Sequence, residues 1–400
     1  MKKSDNDIHK FIKDALKHKE KSKKIYLHEP DFTDSNALKY VNSCIESGWV
    51  STVGSFVEKF ELKLASFTGA KKAIALTNGT VALRLALHLV GVRYGDEVLV
   101  PPLSFVATCN AISHLGAIPH FIDIESKTLG MDPNCLEKHL EEIVLYKNGH
   151  LFNKETGRRI SAICPVHVFG NPANCYALKE ISQKWSLPIV EDAAEALGSS
   201  ICKKHCGLIG EIGVLSFNGN KIITTGGGGA LITNNIKLAE RAKHLSTTAK
   251  KDHPWEYFHD EIGWNDRMPN INAALGLAQL EKITEKIKYK EILMNRYSKV
   301  FENNKLVEVF KDLDENMTSN NWLISLVIKL KNQNEVYDLR NSILEECHKN
   351  GIYIRPAWNL LNELPMYKSM PKSKLESAKD IYPRLINLPS SPSLVKNINL

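Results

Sequence analysis

Short apolar runs alternate with amphipathic stretches of helical spacing between about residues 70 and 235. Short buried strands with helices between them predict a mostly parallel sheet that is covered on both faces. We therefore expect an α/β fold for this part of the chain. The predicted strands cover residues 73–76, 97–100, 118–124, 160–166, 187–191, 213–217 and 230–233, and the predicted helices cover residues 81–89, 106–115 and 176–185.

The pattern changes after about residue 260. Apolar spacing predicts helices over residues 270–287 and 336–350, and strands over residues 322–330 and 352–354. The end of the chain is rich in prolines and loops. With 400 residues the chain is long enough for two domains. We expect a large domain over residues 25–260 and a smaller C-terminal α+β domain over residues 261–400.

The N-terminal 24 residues carry nine lysines against four acidic residues. A basic arm of this kind can bind nucleic acid. However, it lacks a basic stripe interleaved with aromatic residues. We therefore predict no nucleic-acid partner and favour an amphipathic helix that rests on the body of the protein with its lysines in solvent. Its apolar positions follow helical spacing at Ile8, Phe11, Ile12, Ala15 and Leu16.

Composition places the chain among globular proteins, with 43% hydrophobic and 24% charged residues and a net charge of +7. It contains no run of eighteen apolar residues, so we expect no membrane helix. The charged start does not resemble a signal peptide, which makes the cytoplasm the expected compartment. The eight cysteines should then be free thiols. Cys202 and Cys206 flank His205, but no second ligand pair follows, so we predict no metal site.

Polar and aromatic residues follow several predicted strands, where open α/β sheets bind their ligands. Asn78, Gly79 and Thr80 lie between a strand and a helix, where backbone N–H groups can hold a phosphate. The alternative is a plain turn with a helix cap. Phe105 follows the second strand and could stack on a flat ring or fill the core.

Two adjacent carboxylates, Glu191 and Asp192, end another predicted strand. A poorly solvated carboxylate there could hold a cation or keep a ring nitrogen protonated, or Asp192 could cap a helix. The sequence does not say which of the two faces the site. Lys221 follows Ser216 by five residues and precedes four glycines, Gly226 to Gly229, which permit close backbone approach. This run matches neither a P-loop nor the dinucleotide fingerprint.

Each of these features is weak alone. Together they supply a phosphate cradle, a stacking ring, a carboxylate for a pyridine nitrogen and a lysine for an aldehyde. These are the groups that a pyridoxal 5'-phosphate (PLP) site needs.

The motifs in this order resemble those of the DegT/StrS-type sugar aminotransferases, which have the aspartate-aminotransferase fold, known as PLP fold type I. The resemblance covers roughly residues 25–395 and is closest to the branch that serves bacillosamine- and legionaminic-type sugars, because of residues 217–229. It implies that residues 25–260 form the PLP-binding domain. The motifs that carry it lie at residues 48–51, 78–83, 191–195, 216–229, 264–268 and 386–390.

The resemblance also implies the role of individual residues. Lys221 would bind the cofactor aldehyde and later move protons, and Asp192 would pair with the ring nitrogen. Asn78 would belong to the phosphate-binding motif, in which Gly79, Thr80 and Ser216 hold the phosphate. Phe105 would stack on the ring, with Glu195 near the ring hydroxyl. Asn265 would reach the phosphate of the neighbouring subunit in a homodimer, although Asn265 and Arg267 could instead belong to a polar surface loop.

The expected reaction is transfer of an amino group from glutamate to C4 of a UDP-linked 4-keto-6-deoxy-N-acetylhexosamine, for glycan or nonulosonic acid biosynthesis. A sugar dehydratase of the same fold is an alternative, but those relatives commonly carry histidine where Lys221 stands. A regulatory protein that keeps the fold is another. The chain departs from common family residues at Gly227, Asp266 and Asn362, and Glu195 is often Gln or His in relatives.

Overall fold

The computed structural model describes residues 7–17, 24–311 and 313–396. The α-helices of these residues are, in chain order, α1 Ile8–Ala15, α2 Ala37–Ser47, α3 Ser55–Thr68, α4 Gly79–Leu89, α5 Ala107–Ser113, α6 Pro133–Ile143, α7 Cys175–Trp185, α8 Ile236–Ser246, α9 Asn270–Leu280, α10 Ile283–Phe301, α11 Gln333–Lys349, α12 Glu376–Ile381 and α13 Ser393–Lys396.

The strands alternate with these helices in the first part of the chain and form separate small sheets later. They are β1 Lys72–Leu76, β2 Glu97–Val100, β3 Ile118–Phe121, β4 Val144–Lys147, β5 His150–Asn153, β6 Arg159–Ile163, β7 Val190–Asp192, β8 Ser200–Ile201, β9 Lys204–His205, β10 Ile212–Ser216, β11 Gly229–Thr233, β12 Val307–Val309, β13 Met317–Thr318, β14 Ile324–Ile328, β15 Arg355–Pro356 and β16 Leu385–Leu388.

The central sheet has two hydrogen-bonded parts, with strand orders β1-β11-β10-β7 and β3-β2-β6-β5-β4. Single parallel bridges, Ile163–Ile189 and Val166–Asp192, join the end of β6 to β7, so the two parts continue one another. The pairs β10–β7, β2–β3 and β2–β6 are parallel, whereas β11 runs antiparallel to both of its neighbours. This confirms the predicted mostly parallel sheet. The carboxyl ends of β1, β2, β7 and β10 consequently lie at one edge.

The smaller sheet, in the order β12-β14-β16-β15, is antiparallel throughout. Two predicted elements differ from the structure here. The helix predicted over residues 270–287 is two helices, because the backbone of Lys282 leaves helical geometry (φ −103°, ψ 3°) without a glycine or proline to mark the break. The strand predicted over residues 352–354 is wrong, since Ile352 makes a single bridge with Ile25 and the pairing with β16 begins at Arg355.

Buried apolar side chains form two clusters. The larger surrounds the central sheet and includes Phe60, Leu76 and Phe217, and α9 joins it by packing on α2 and α3. The smaller lies between α10, α11 and the antiparallel sheet. The predicted domain boundaries at residues 24 and 260 stay predictions.

Helix α1 belongs to the smaller cluster, and its amphipathic pattern explains why. Ile8 and Ile12 are buried, and the ring of Phe11 lies 5.7 Å from that of Phe301 in α10. The prediction of a helix resting on the body is therefore confirmed for Ile8–Ala15, while residues 1–6 and 18–23 of the predicted arm lie outside the described residues. Within the described ranges no helix combines the length and apolar character needed to cross a bilayer.

Candidate active site

A cavity of about 320 Å³ opens at the carboxyl ends of β1, β7 and β10. Its wall brings together eight of the nine residues predicted from the sequence to hold a cofactor, although they come from four separate stretches of chain. The ninth, Asn265, is exposed and does not line this cavity. The eight are Asn78, Gly79, Thr80, Phe105, Asp192, Glu195, Ser216 and Lys221.

The start of α4 forms one wall of the cavity. Asn78 caps the helix by accepting a hydrogen bond from the Val81 N–H at 2.8 Å. The N–H groups of Gly79 and Thr80 lie in the first turn, where a helix offers them no partner of its own. They are therefore available to an anion such as a phosphate.

Close backbone packing fixes this wall against the neighbouring strands. A Cβ atom on Gly79 would lie 3.0 Å from Ser216 Cβ. A Cβ atom on Gly229 would lie 2.5 Å from the Asn78 carbonyl carbon, which side chains do not tolerate. The last glycine of the run thus lets β11 approach the helix start, which explains part of the glycine-rich sequence.

Asp192 lies at the base of the cavity, held by a short chain of hydroxyl groups. Thr108 Oγ1 donates to Asp192 Oδ2 at 2.8 Å, and Ser104 Oγ lies 2.7 Å from Thr108 Oγ1. The Ala194 N–H donates to the other carboxylate oxygen at 3.1 Å. Sequence reasoning did not single out Ser104 or Thr108, which precede and begin a helix that shows no polar pattern of its own.

Glu191, the neighbour of Asp192, is fully buried and does not line the cavity. Its carboxylate accepts N–H bonds from Gly207, Ile209 and Gly210 at 2.6–2.7 Å and contacts His167 Nε2 at 3.0 Å. Burial alone would raise its pKa, but the hydrogen bonds from His167 and these amides hold it below the ordinary value. The structure thus answers the question that the sequence left open: Asp192 is the residue that faces the cavity.

His167 also approaches Cys175, at 3.9 Å, so three potential metal ligands meet beside Glu191. The other ring nitrogen of His167 accepts the Ala173 N–H at 3.0 Å. The Glu191 oxygens already receive three amides. These groups serve one another as hydrogen-bond partners, which leaves a metal ion few free lone pairs.

Lys221 extends into the cavity with its side chain mostly buried. Its Nζ donates to Glu195 Oε1 at 3.1 Å and lies 3.9 Å from the centre of the Trp322 ring. The other Glu195 oxygen accepts the Phe169 N–H at 2.7 Å. Burial raises the pKa of Glu195, and the nearby Lys221 ammonium opposes that rise. The lysine amine is therefore positioned by one carboxylate and one aromatic face.

Aromatic rings close the cavity on the side of the smaller domain. Phe105 is half exposed, and its ring centre lies 5.9 Å from that of Trp358. Trp358 in turn lies 6.4 Å from Trp322, with the rings nearly parallel. Neither tryptophan was predicted from the sequence, because both come from the second half of the chain and no local pattern marks them.

Residues 264–268, part of the motif set, lie beside the cavity and outside it. Asp266 forms an ion pair with Arg84 at 2.5 Å, and Arg267 pairs with Glu61 at 2.8 Å. The charge of Asp266, where relatives often have an aromatic residue, is thus matched within this chain. Asn265 bridges Thr247 at the surface. Its contact with a second subunit stays a prediction.

The cavity fits PLP on geometric grounds. It offers free amides at a helix start, an exposed ring at Phe105, a carboxylate at its base and a buried lysine amine. Asp192 and Lys221 both lie on the same wall set as the amides of Gly79 and Thr80. This is the donor and acceptor set that the cofactor's phosphate, ring nitrogen and aldehyde require.

Comparison with known proteins agrees with this geometry. The model of the DegT/DnrJ/EryC1/StrS aminotransferase family matches residues 32–398. The chain is 36% identical over 372 residues to the GDP-perosamine synthase of Escherichia coli O157:H7, covering 93% of this chain and 94% of that protein. It is 30% identical over 342 residues to the UDP-4-amino-4,6-dideoxy-N-acetyl-beta-L-altrosamine transaminase of Campylobacter jejuni serotype O:23/36, covering 85% and 86%.

A solved structure shares the whole fold. The PLP form of the putative sugar aminotransferase Spr1654 from Streptococcus pneumoniae superposes with a TM-score of 0.81 at 26% identity, over 92% of this chain and 94% of that one. The fold and cavity therefore define a PLP-dependent enzyme of fold type I. The chain belongs to the DegT/DnrJ/EryC1/StrS aminotransferase family, whose members are PLP-dependent sugar aminotransferases. The predicted family, fold and cofactor are confirmed.

Proposed function

We propose that this enzyme transfers the amino group of glutamate to C4 of a UDP-linked 4-keto-6-deoxy-N-acetylhexosamine, in surface glycan or nonulosonic acid biosynthesis. The observation that carries the proposal is the meeting of Lys221 and Asp192 in one cavity with a free helix start. The choice of sugar rests on the likeness of residues 217–229 to one branch of the family and on the UDP-sugar transaminase relative.

The side chains of this cavity have separate tasks in the proposal. Gly79, Thr80 and Ser216 would hold the cofactor phosphate. Phe105 would lie against its ring, and Asp192 would keep the ring nitrogen protonated. When bound, the cofactor supplies an electron sink for the charge that develops on the reacting carbon. Asp192 can serve this purpose because Thr108 and Ala194 hold its carboxylate in place.

Lys221 would carry protons to and from the reacting carbon once its amine is free. A general base must lie within hydrogen-bonding reach of that carbon, and a buried lysine at the cavity wall meets this condition. Glu195, 3.1 Å from Nζ, would receive the ammonium form and return the amine to the same position. The Trp322 ring under Nζ excludes water from that side.

The linked nucleotide has a second candidate. The GDP-perosamine synthase relative is more similar to this chain than the UDP-sugar transaminase relative, which favours a GDP-linked 4-keto sugar as the alternative. We would incubate the purified enzyme with glutamate and a panel of UDP-, GDP- and dTDP-linked 4-keto sugars and identify the products by mass spectrometry. The proposal predicts amination of the UDP-linked N-acetylated sugar at the highest kcat/KM. Amination of the GDP-linked sugar alone would replace it.

We also propose that the enzyme is a homodimer in which Asn265 reaches the neighbouring site. Several large apolar side chains near Asn265 are exposed in the single chain, including Trp255, Tyr257 and Ile262, the last at 90%. Clustered exposure of this kind is typical of a contact surface. Sedimentation should give twice the chain mass, and Ile262→Glu should shift it towards the monomer with a loss of activity. A fully active monomer would contradict the proposal.

The cytoplasm is the compartment that we propose for this enzyme. All eight cysteines are free, and a reducing environment would keep them so.

A further inference from the structure

A second, larger cavity of about 830 Å³ adjoins the cofactor cavity. We call it the side compartment. It shares three wall residues with the cofactor cavity, namely Asn220, Trp322 and Trp358. Its remaining wall comes from the segment around Tyr26–His28 and from residues 348–359 and 387 of the smaller sheet region.

The side compartment has a cationic wall. Arg355 lines it with an exposed side chain and has no ion-pair partner among the described residues. No aspartate or glutamate lines it within the ranges that the structure describes. His348 is also in the wall, and its Nε2 lies 2.8 Å from the Ile354 carbonyl oxygen. A cavity with this charge distribution attracts anions.

His28 is the least explained residue of this wall. Both of its ring nitrogens are buried and have no hydrogen-bond partner in the described part of the chain. The nearest carbonyl, that of Asn220, already accepts the Trp322 indole N–H at 2.8 Å. Buried polar groups normally have partners, so an orphaned imidazole at a cavity wall points to a ligand.

The surroundings of His28 keep its ring neutral. Burial lowers the pKa of His28 well below its ordinary value, and the positive charges of Lys290, Lys286 and Lys221 lower it further. A neutral imidazole offers one N–H donor and one lone pair. That pairing suits a ligand with both donor and acceptor groups, such as a hydroxyl-bearing sugar or a base edge.

Aromatic faces complete the side compartment at its outer rim. The rings of Tyr26 and Tyr353 stack with centres 5.3 Å apart and planes 12° apart. Tyr26 is nearly half exposed, so one face of the pair is open to a further ring. Stacking on an exposed aromatic face suits a nucleobase.

Size decides between the two substrates of the proposed reaction. The cofactor cavity of about 320 Å³ is at the small end of ligand sites and must already hold the cofactor and the reacting sugar ring. A nucleoside diphosphate attached to that sugar needs further space. Glutamate has two carboxylates but no aromatic ring for the tyrosine pair.

We propose that the side compartment binds the nucleoside diphosphate half of the acceptor, with Arg355 facing the diphosphate and His28 bonding to a polar group of the ligand. This inference rests on the proposed function. The amino donor would reach the cofactor cavity without using Arg355 or His28. These two residues would therefore set acceptor affinity and leave the donor reaction unchanged.

The test separates the two half-reactions in the PLP-loaded enzyme. Absorbance follows loss of the cofactor's aldehyde form with glutamate, and its return with a nucleotide-linked 4-keto sugar. Calorimetry measures binding of UDP and GDP alone. The variants are Arg355→Gln, His28→Phe and the conservative His28→Asn, with Lys138→Gln as a charge-matched control, because Lys138 is exposed on α6 and lines neither cavity.

We expect Arg355→Gln and His28→Phe each to weaken nucleotide binding and raise the acceptor KM about tenfold, a loss typical of one strong polar contact. The glutamate half-reaction should stay within about twofold of the parent, and His28→Asn should recover part of the loss. Lys138→Gln should behave as the parent. Cofactor absorbance and the unfolding transition of each variant check that it is folded.

Two other results have distinct meanings. If the variants slow the glutamate half-reaction and leave nucleotide binding intact, the side compartment serves the donor and the inference is overturned. If they change neither, it is likewise overturned. If the parent enzyme reacts with glutamate but no nucleotide-linked keto sugar restores the aldehyde form, the proposed function itself fails.

Discussion

Glu191 and Asp192 are consecutive residues of β7, and their carboxylates lie on opposite sides of the sheet. Asp192 accepts from Thr108 in the cofactor cavity, whereas Glu191 accepts three backbone amides on the far side. Successive strand side chains point to opposite faces, so only one of the pair can reach the cavity. One carboxylate belongs to the reaction and the other to the fold.

The pair predicts opposite effects of two matched substitutions. Asp192→Asn should weaken PLP retention and abolish most activity while the free energy of unfolding of the cofactor-free protein changes little. Glu191→Gln should instead destabilise the fold by about 3 kcal/mol, because its amide N–H₂ would face groups that are themselves donors. Urea unfolding of the apoprotein and cofactor absorbance measure the two effects. Normal activity in Asp192→Asn would assign the role to another group.

The glycine run gives a second matched pair. Gly229→Ala should place a Cβ atom against the Asn78 backbone and cost about 1–3 kcal/mol, with a clear loss of PLP affinity. Gly227→Ala should be neutral, since no atom lies within 4 Å of its Cβ position. PLP titration followed by absorbance tests both. Equal PLP affinity in the two variants would show that the close approach of β11 does not shape the phosphate site.

Lys290 predicts a large stability effect at a distance from the reaction. It is fully buried, and its Nζ donates to the carbonyls of Asn321, Trp322 and Ser390. Lys290→Met should therefore lose about 3 kcal/mol or more, because three buried acceptors are left without a donor. Lys288→Met, on the exposed side of the same helix, makes the same charge change and should be near neutral. A small loss for Lys290→Met would contradict this.

His205 predicts a pH dependence of stability. Its ring accepts the Gly198 N–H at 2.8 Å and bonds to the Cys206 carbonyl, so both nitrogens are engaged. Burial lowers its pKa from 6.5 to about 4. The unfolded chain then takes up a proton at higher pH than the folded one, so this stability is complete above pH 6.5 and is lost as the pH falls towards 4.

The full effect of His205 is about 3 kcal/mol. We expect the free energy of urea unfolding to fall more steeply between pH 7 and 4.5 in the parent than in His205→Gln. The comparison isolates His205 from the other histidines. Parallel pH profiles for the two proteins would contradict the assignment.

The sequence predicts most of the cofactor cavity because its residues follow short apolar strands. Asn78, Asp192 and Ser216 each end such a strand, and parallel strands bring their carboxyl ends to one edge. Local pattern does not fix which face of a strand is inward, so Glu191 and Asp192 could not be told apart. Trp322 and Trp358 escaped prediction because they reach the cavity through tertiary packing alone. The break at Lys282 carries no glycine or proline and leaves no signal.

The bond between Lys221 and the PLP aldehyde is the most direct test of the account. Lys221 Nζ is the lysine amine that lies in the wall of the cofactor cavity among the described residues. Reduction of the PLP-loaded enzyme with borohydride, followed by proteolysis and mass spectrometry, should place the pyridoxyl group on Lys221, and Lys221→Ala should carry none and show no turnover. Label on any other residue, or undiminished turnover in Lys221→Ala, would contradict it.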